Sequence, residues 1–345
     1  MKKISKHFNP FGFSLLFLAM FLFAGALPVS ARTHSGEGSS PSSSPSSGAT
    51  VDTYTVEARP YGIAIDSSGN VWVTNNWSNS VTELNSTGKT AGMYAVGGFP
   101  VGIAIDSSGN IWVANNWSDN VTELNSSGKT VGTYAVGTGP WGIAIDSSGN
   151  VWVANRGSGT VTELNSSGKT LGTYAVGGGP VGIAIDSSGN IWVANYHYDS
   201  GTVTELNSSG KTLGTYAVGS APYAIAIDSS GNVWVTNTNS DTVAELNSSG
   251  KTVGTYAVGL YPDAIAIDSS GNIWVANDGS GTVTELNSSG KTVGTYAVGT
   301  SPSAIAIDSS GNVWVANNVV LGTVQEITSV AKGHQYFPYS GPRWP

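Results

Sequence analysis

The chain has 345 residues, a formal net charge of −8, only 10% charged side chains and no cysteine, which excludes disulfides, thiolate metal sites and a cysteine nucleophile. Residues 1–31 hold three of the 14 basic residues (Lys2, Lys3, Lys6) and no acid, so the remainder carries 11 basic against 22 acidic groups, a balance of −11. An acidic surface of this kind speaks against nucleic acid or anionic membrane as partner. Abundant Gly with β-branched and aromatic residues sets the class as all-β.

In chain order, the basic start, the apolar run from Phe13 to Phe23 and the small residues Val29-Ser30-Ala31 read as a cleaved signal peptide over 1–31. The expected location is therefore secreted, periplasmic or extracellular, with no membrane attachment after cleavage. Residues 32–50, rich in Ser, Pro and Gly, bury too little apolar surface to order and are expected to be a flexible linker.

From residue 51 the sequence Gly62-Ile63-Ala64-Ile65-Asp66-Ser67-Ser68-Gly69-Asn70-Val71-Trp72-Val73 recurs seven times. It restarts at Gly102, Gly142 and Gly182, then with Ala at Ala224, Ala264 and Ala304; each copy follows a proline, from Pro60 to Pro302. A fixed period of this size marks a propeller, solenoid or array. In the first copy we expect strand a over Gly62–Asp66, b over Asn70–Asn75, c over Val81–Asn85 and d over Lys89–Val96. The links Ser67-Ser68-Gly69 and Ser86-Thr87-Gly88 suit a type I turn closed by a left-handed glycine. That register sets Ala64 opposite Trp72, small against large on one sheet face.

The chain ends decide between ring and solenoid. Residues Asp52 to Glu57 align with the d-strand sequence Gly132 to Gly137, whereas the seventh copy stops after strand c at Thr323–Ile327. The expected fold is a seven-bladed β-propeller over 51–329, with four-stranded antiparallel blades, closed by the N-terminal strand and monomeric. No open sheet edge remains in such a ring. A C-terminal tail, 330–345, falls outside the period.

The unit Pro-x-Gly-Ile-Ala-Ile-Asp-Ser-Ser-Gly-Asn-Val-Trp-Val-Thr/Ala-Asn resembles the NHL repeat and, within that group, the streptogramin (virginiamycin B) lyase-like propellers. The resemblance spans about 52–328 and implies the fold; the same scaffold hosts sensors, binders and enzymes. It also implies a histidine general base with a magnesium-bound carboxylate for the lyases. Here the only histidines beyond residue 31 are His34, His197 and His334, so that motif is not matched and no catalytic residue is assigned. No cofactor is expected, with Ca²⁺ or Mg²⁺ kept as the alternative.

One face of the ring should carry the uniform a–b and c–d links, the other the b–c and d–a links, which differ from copy to copy. Binding specificity belongs on the individual face. Its candidate ligand-binding residues are Tyr61, Trp77, Trp117, Trp141, Arg156, Tyr196, His197, Tyr198, Tyr223, Asp263 and Asp278. Exposed aromatics beside polar groups suit a sugar ring or a peptide side chain. The function expected is a non-catalytic binding or scaffold module for a saccharide or extracellular protein; the alternative is a metal-dependent propeller enzyme of the lyase-like or lactonase-like class. An RNA-binding NHL domain would need a basic face, and these loops are acidic.

The repeated Asp66 and its six equivalents read as turn residues rather than a metal ring. Asn75 and its equivalents are expected to satisfy loop backbone, and Glu83 with Lys89 to form a solvated cross-strand pair.

Overall fold

The computed structural model describes residues 49–198 and 201–328. The signal-peptide and C-terminal-tail expectations lie outside these residues, as does nearly all of the linker; Ala49 packs on the core and Thr50 begins the first strand.

The described residues form seven four-stranded antiparallel sheets, each of consecutive strands except one. In blade 1 the strands are Pro60–Ile65 (a), Val71–Asn75 (b), Ser80–Leu84 (c) and Thr90–Ala95 (d). Blade 7 takes a, b and c from Pro302–Ile307, Val313–Asn317 and Thr323–Thr328, and its d strand from Thr50–Thr55 at the other end of the chain. The pairing runs Thr50 to Thr328 through Thr55 to Thr323. Strand a of blade 1 packs against strand a of blades 2 and 7, so the a strands enclose an axis. The ring closes as the chain ends foretold.

The predicted local chemistry is present. Ala64 faces Trp72. Gly69, at φ 82°, closes the a–b turn by donating to Asp66 O at 3.0 Å. Asp66 Oδ1 accepts from the N–H groups of Ser68 and Asn70 at 2.8 and 2.9 Å, and Oδ2 accepts from Trp72 Nε1 at 3.1 Å. Burial pushes this carboxyl up, but the hydrogen bonds from Trp72, Asn70 and Ser68 outweigh it and hold it below the ordinary value. One residue thus fixes a turn and aims the indole it precedes.

That indole builds the core. Trp72 is wholly buried among Val81 of its own blade and Ile111, Val113 and Leu124 of blade 2; Trp314 of blade 7 enters blade 1 in the same way, against Val71, Val73 and Leu84. Each tryptophan therefore rivets one blade to the next. A Tyr from strand d stacks over it, Tyr94 on Trp72 at 5.5 Å between ring centroids.

Two expectations need correction. Glu83 is not a solvated partner of Lys89: it is buried and accepts from Tyr94 Oη at 2.7 Å. Opposite Glu83 stands Gly92, where a Cβ would collide with the Tyr94 hydroxyl at 2.1 Å, so the glycine makes room for the tyrosine to fold back. Asn75 does not serve loop backbone either. Its Nδ2 donates to Thr82 Oγ1 at 2.9 Å and Ser80 Oγ at 3.2 Å on strand c. Among the seven equivalents, only Asn277 reaches loop backbone, accepting from Gly259 N–H at 3.1 Å.

Candidate functional site

The a–b register slips between Pro60 and Ile63, and equivalently in every blade. Such a bulge redirects a side chain; here it turns the residue after each proline into the axial channel. Gly62 sits beside it because a Cβ there would lie 2.2 Å from Val101 O of blade 2. The resulting cavity, about 200 Å³, is ringed at its mouth by Tyr61, Val101, Trp141, Val181, Tyr223, Asp263 and Ser303.

Three of these rings meet. Tyr61 of blade 1 and Tyr223 of blade 5 touch hydroxyl to hydroxyl. Trp141 stands nearly perpendicular to both, 5.5 Å from Tyr61 and 6.3 Å from Tyr223 between centroids. The residue after each strand-b asparagine adds a second tier. Arg156 lies over Trp141 at 4.8 Å and over Tyr196 at 5.1 Å; Tyr196 meets Tyr223 at 6.0 Å and Tyr198 at 5.3 Å, edge to face.

On the blade 5–6 side the mouth is acidic. Burial, then the charge of Asp278, push the Asp263 carboxyl up to about 7, against the pull of the Thr238 hydroxyl. Thr238 Oγ1 donates to Pro262 O at 3.0 Å. Burial raises the Tyr61 and Tyr223 hydroxyls, so both stay neutral; Asp263 reinforces the shift and Arg156 opposes it. Burial and then Tyr198 push Tyr196 up to about 12. These groups form one electrostatic unit.

Eight of the candidate residues therefore gather at or beside the mouth: Tyr61, Trp141, Arg156, Tyr196, Tyr198, Tyr223, Asp263 and Asp278. Tyr198 is marginal, two-thirds exposed at the edge of Tyr196. Three candidates do not join them. Trp77 lies under Arg59 at 4.7 Å and Trp117 stacks on Phe99 at 4.6 Å, both exposed and outside the cavity lining. His197 is exposed and contributes its carbonyl, which accepts from Ala221 N–H at 2.8 Å. The sequence reading missed Val101, Val181, Ser303 and Thr238. The signal for them was positional: they occupy the same two columns, after the repeat proline and after the repeat asparagine.

The magnesium site implied by the lyase resemblance can be tested on the donor set. Among the described residues no group of three or more His, Asp or Glu is placed to hold a metal ion, and the mouth offers the carboxylates Asp263 and Asp278 without a histidine pair. The residues do not fit such a site.

A closed ring of seven four-stranded blades defines the class of seven-bladed β-propellers. Residues 129–337 match the virginiamycin B lyase family, and the chain belongs to that family. A streptogramin B lyase structure superposes with a TM-score of 0.74 at 19% identity, covering 81% of this chain and 97% of that one. The virginiamycin B lyase of Staphylococcus aureus gives 0.73 at 18%, covering 81% and 99%. The hydrazine synthase of Kuenenia stuttgartiensis gives 0.72 at 18%, covering 80% and 97%, so the likeness carries the fold alone. Among curated proteins none matches the sequence.

Proposed function

We propose that the protein is an exported, non-catalytic binding propeller that seats a saccharide or a segment of an extracellular protein over its channel mouth. One observation carries the reading: the aromatic cluster of Tyr61, Trp141, Tyr196 and Tyr223 comes from four different blades yet converges on the single cavity mouth. Aromatic walls with a few placed polar groups are the composition of ligand pockets. A glycan and peptide array probed with residues 32–345 should give hits that Trp141→Ala and Tyr223→Ala abolish and Trp77→Ala does not. Hits lost only with Trp77 or Trp117 would move the site off the mouth.

A second reading, a propeller enzyme, draws on the Asp263 carboxyl, whose raised affinity for a proton suits acid–base work near neutrality. Chemical conversion of an array hit, lost on Asp263→Asn while its binding is kept, would favour it.

A further inference from the structure

The binding reading leaves open what kind of group enters the mouth, and the arrangement of charge there is informative. The Asp263 carboxyl lines the cavity, and both burial and the charge of Asp278 oppose its ionisation. The one guanidinium in the tier, Arg156, lies over both Trp141 and Tyr196; its charge acts on Tyr61, Tyr196 and Tyr223, while Asp263 responds to burial, Asp278 and Thr238. The two charges are thus set apart, Arg156 on the blade 3–4 side and the carboxylates of blade 6 on the other.

We infer that the ligand is an organic cation, a protonated amine whose charge sits beside Asp263 and Asp278 while its apolar body lies against Tyr61, Trp141 and Tyr223. This deepens, and rests on, the channel-mouth reading. The aromatic faces favour a cation through their quadrupoles as well as through burial. Arg156 repels that charge from blades 3 and 4, which orients the ligand with its ammonium toward blade 6. The cavity of about 200 Å³ suits a small body: a cavity of about 150 Å³ holds benzene. A bare metal ion is the poorer occupant, because calcium takes roughly six to eight oxygen ligands and the mouth brings two carboxylates. A neutral sugar would leave the carboxylates opposed.

The test is calorimetry on the full chain at pH 8 with phenethylammonium and its neutral counterpart 2-phenylethanol. The ammonium should bind at least about tenfold more tightly, a difference of about 1.4 kcal/mol. Asp263→Asn and Asp278→Asn should each erase most of that preference, and Trp141→Ala should weaken both probes. Melting curves confirm that each variant is folded, and Asp278, on a loop, supplies the second variant should Asp263→Asn misfold. Equal binding of alcohol and ammonium, no ammonium binding at millimolar concentration, or a preference surviving both Asn variants would overturn the inference. A neutral glycan bound in a Trp141-dependent way would sink the cation and spare the binding reading. Ammonium binding indifferent to both Trp141→Ala and Tyr223→Ala would sink the two together.

Discussion

Tyr54, in the first described strand, stacks on Trp314 of the last blade with ring centroids 5.5 Å apart, and its hydroxyl donates to Glu326 at 2.9 Å. The same pair of contacts joins Tyr94 to Trp72 and Glu83 within blade 1. The closing strand is therefore held by side chains as well as by its ladder.

Closure can be broken without touching the other six blades. Deleting residues 50–56 should bare the edge of Thr323–Thr328 and uncover Trp314. An exposed edge recruits other strands, so light scattering should find oligomers and the melting temperature should fall. A monomer with an unchanged melting temperature would contradict the closure. Tyr54→Ala, which keeps the ladder, should cost about 1–3 kcal/mol through the lost stacking and hydrogen bond.

The tryptophans separate into two energetic classes. Trp152 is 0% exposed and Trp117 73% exposed. Trp152→Ala should cost about 3–5 kcal/mol in chemical denaturation, and Trp117→Ala less than about 0.5 kcal/mol. Similar losses at both positions would refute the division into rivet and rim.

The glycines beside the mouth should be unequal to the alanines that replace them in later blades. A Cβ at Gly62 would meet Val101 O at 2.2 Å, and backbone cannot step aside as a side chain does. Gly62→Ala should destabilise by roughly 1–3 kcal/mol. Ala264, buried in blade 6, already carries its methyl, so Ala264→Gly should cost only about 1 kcal/mol. Thermal melts of the two variants compare them directly.

Asp263 predicts a pH dependence of unusual sign. Its folded-state affinity for a proton exceeds the ordinary one, with the midpoint moved from 3.8 to about 7. The folded protein therefore holds this proton where the unfolded chain has lost it, and stability falls as pH rises from about 4 to about 7. The contribution is on the order of 4 kcal/mol at most, at about 1.4 kcal/mol per unit. Asp263→Asn should flatten that part of the stability profile and raise the melting temperature at pH 8. An unchanged profile would mean that Asp263 is ionised as freely as a surface carboxylate.

How far each feature could be read depended on whether it was local or set by the count of repeats. The Ser-Ser-Gly turn, the Ala64–Trp72 pairing and the borrowed first strand follow from period and spacing, because a strand alternates faces and a turn constrains its own residues. Glu83 could not be read this way. Its neighbour in the repeat is Lys89, but the gap left by Gly92 lets Tyr94 reach it first. Trp77 and Trp117 were grouped with the mouth for the same reason: they stand one residue beyond the column that turns inward, and a single step along a loop separates rim from channel.

The amino-acid order by itself determined seven equal blades and their turns, which are repeated short-range relations, and the strand that joins the ends, which follows from a surplus d strand at one end of the repeat and a missing one at the other. Only the tertiary structure decided which variable side chains share a space. Tyr61 and Tyr223 lie four blades apart and meet because the bulge after each proline aims them at one axis, and Asp263 is unusual only because burial and Asp278 surround it there. Convergence on an axis is a property of the closed ring, and no stretch of chain contains it.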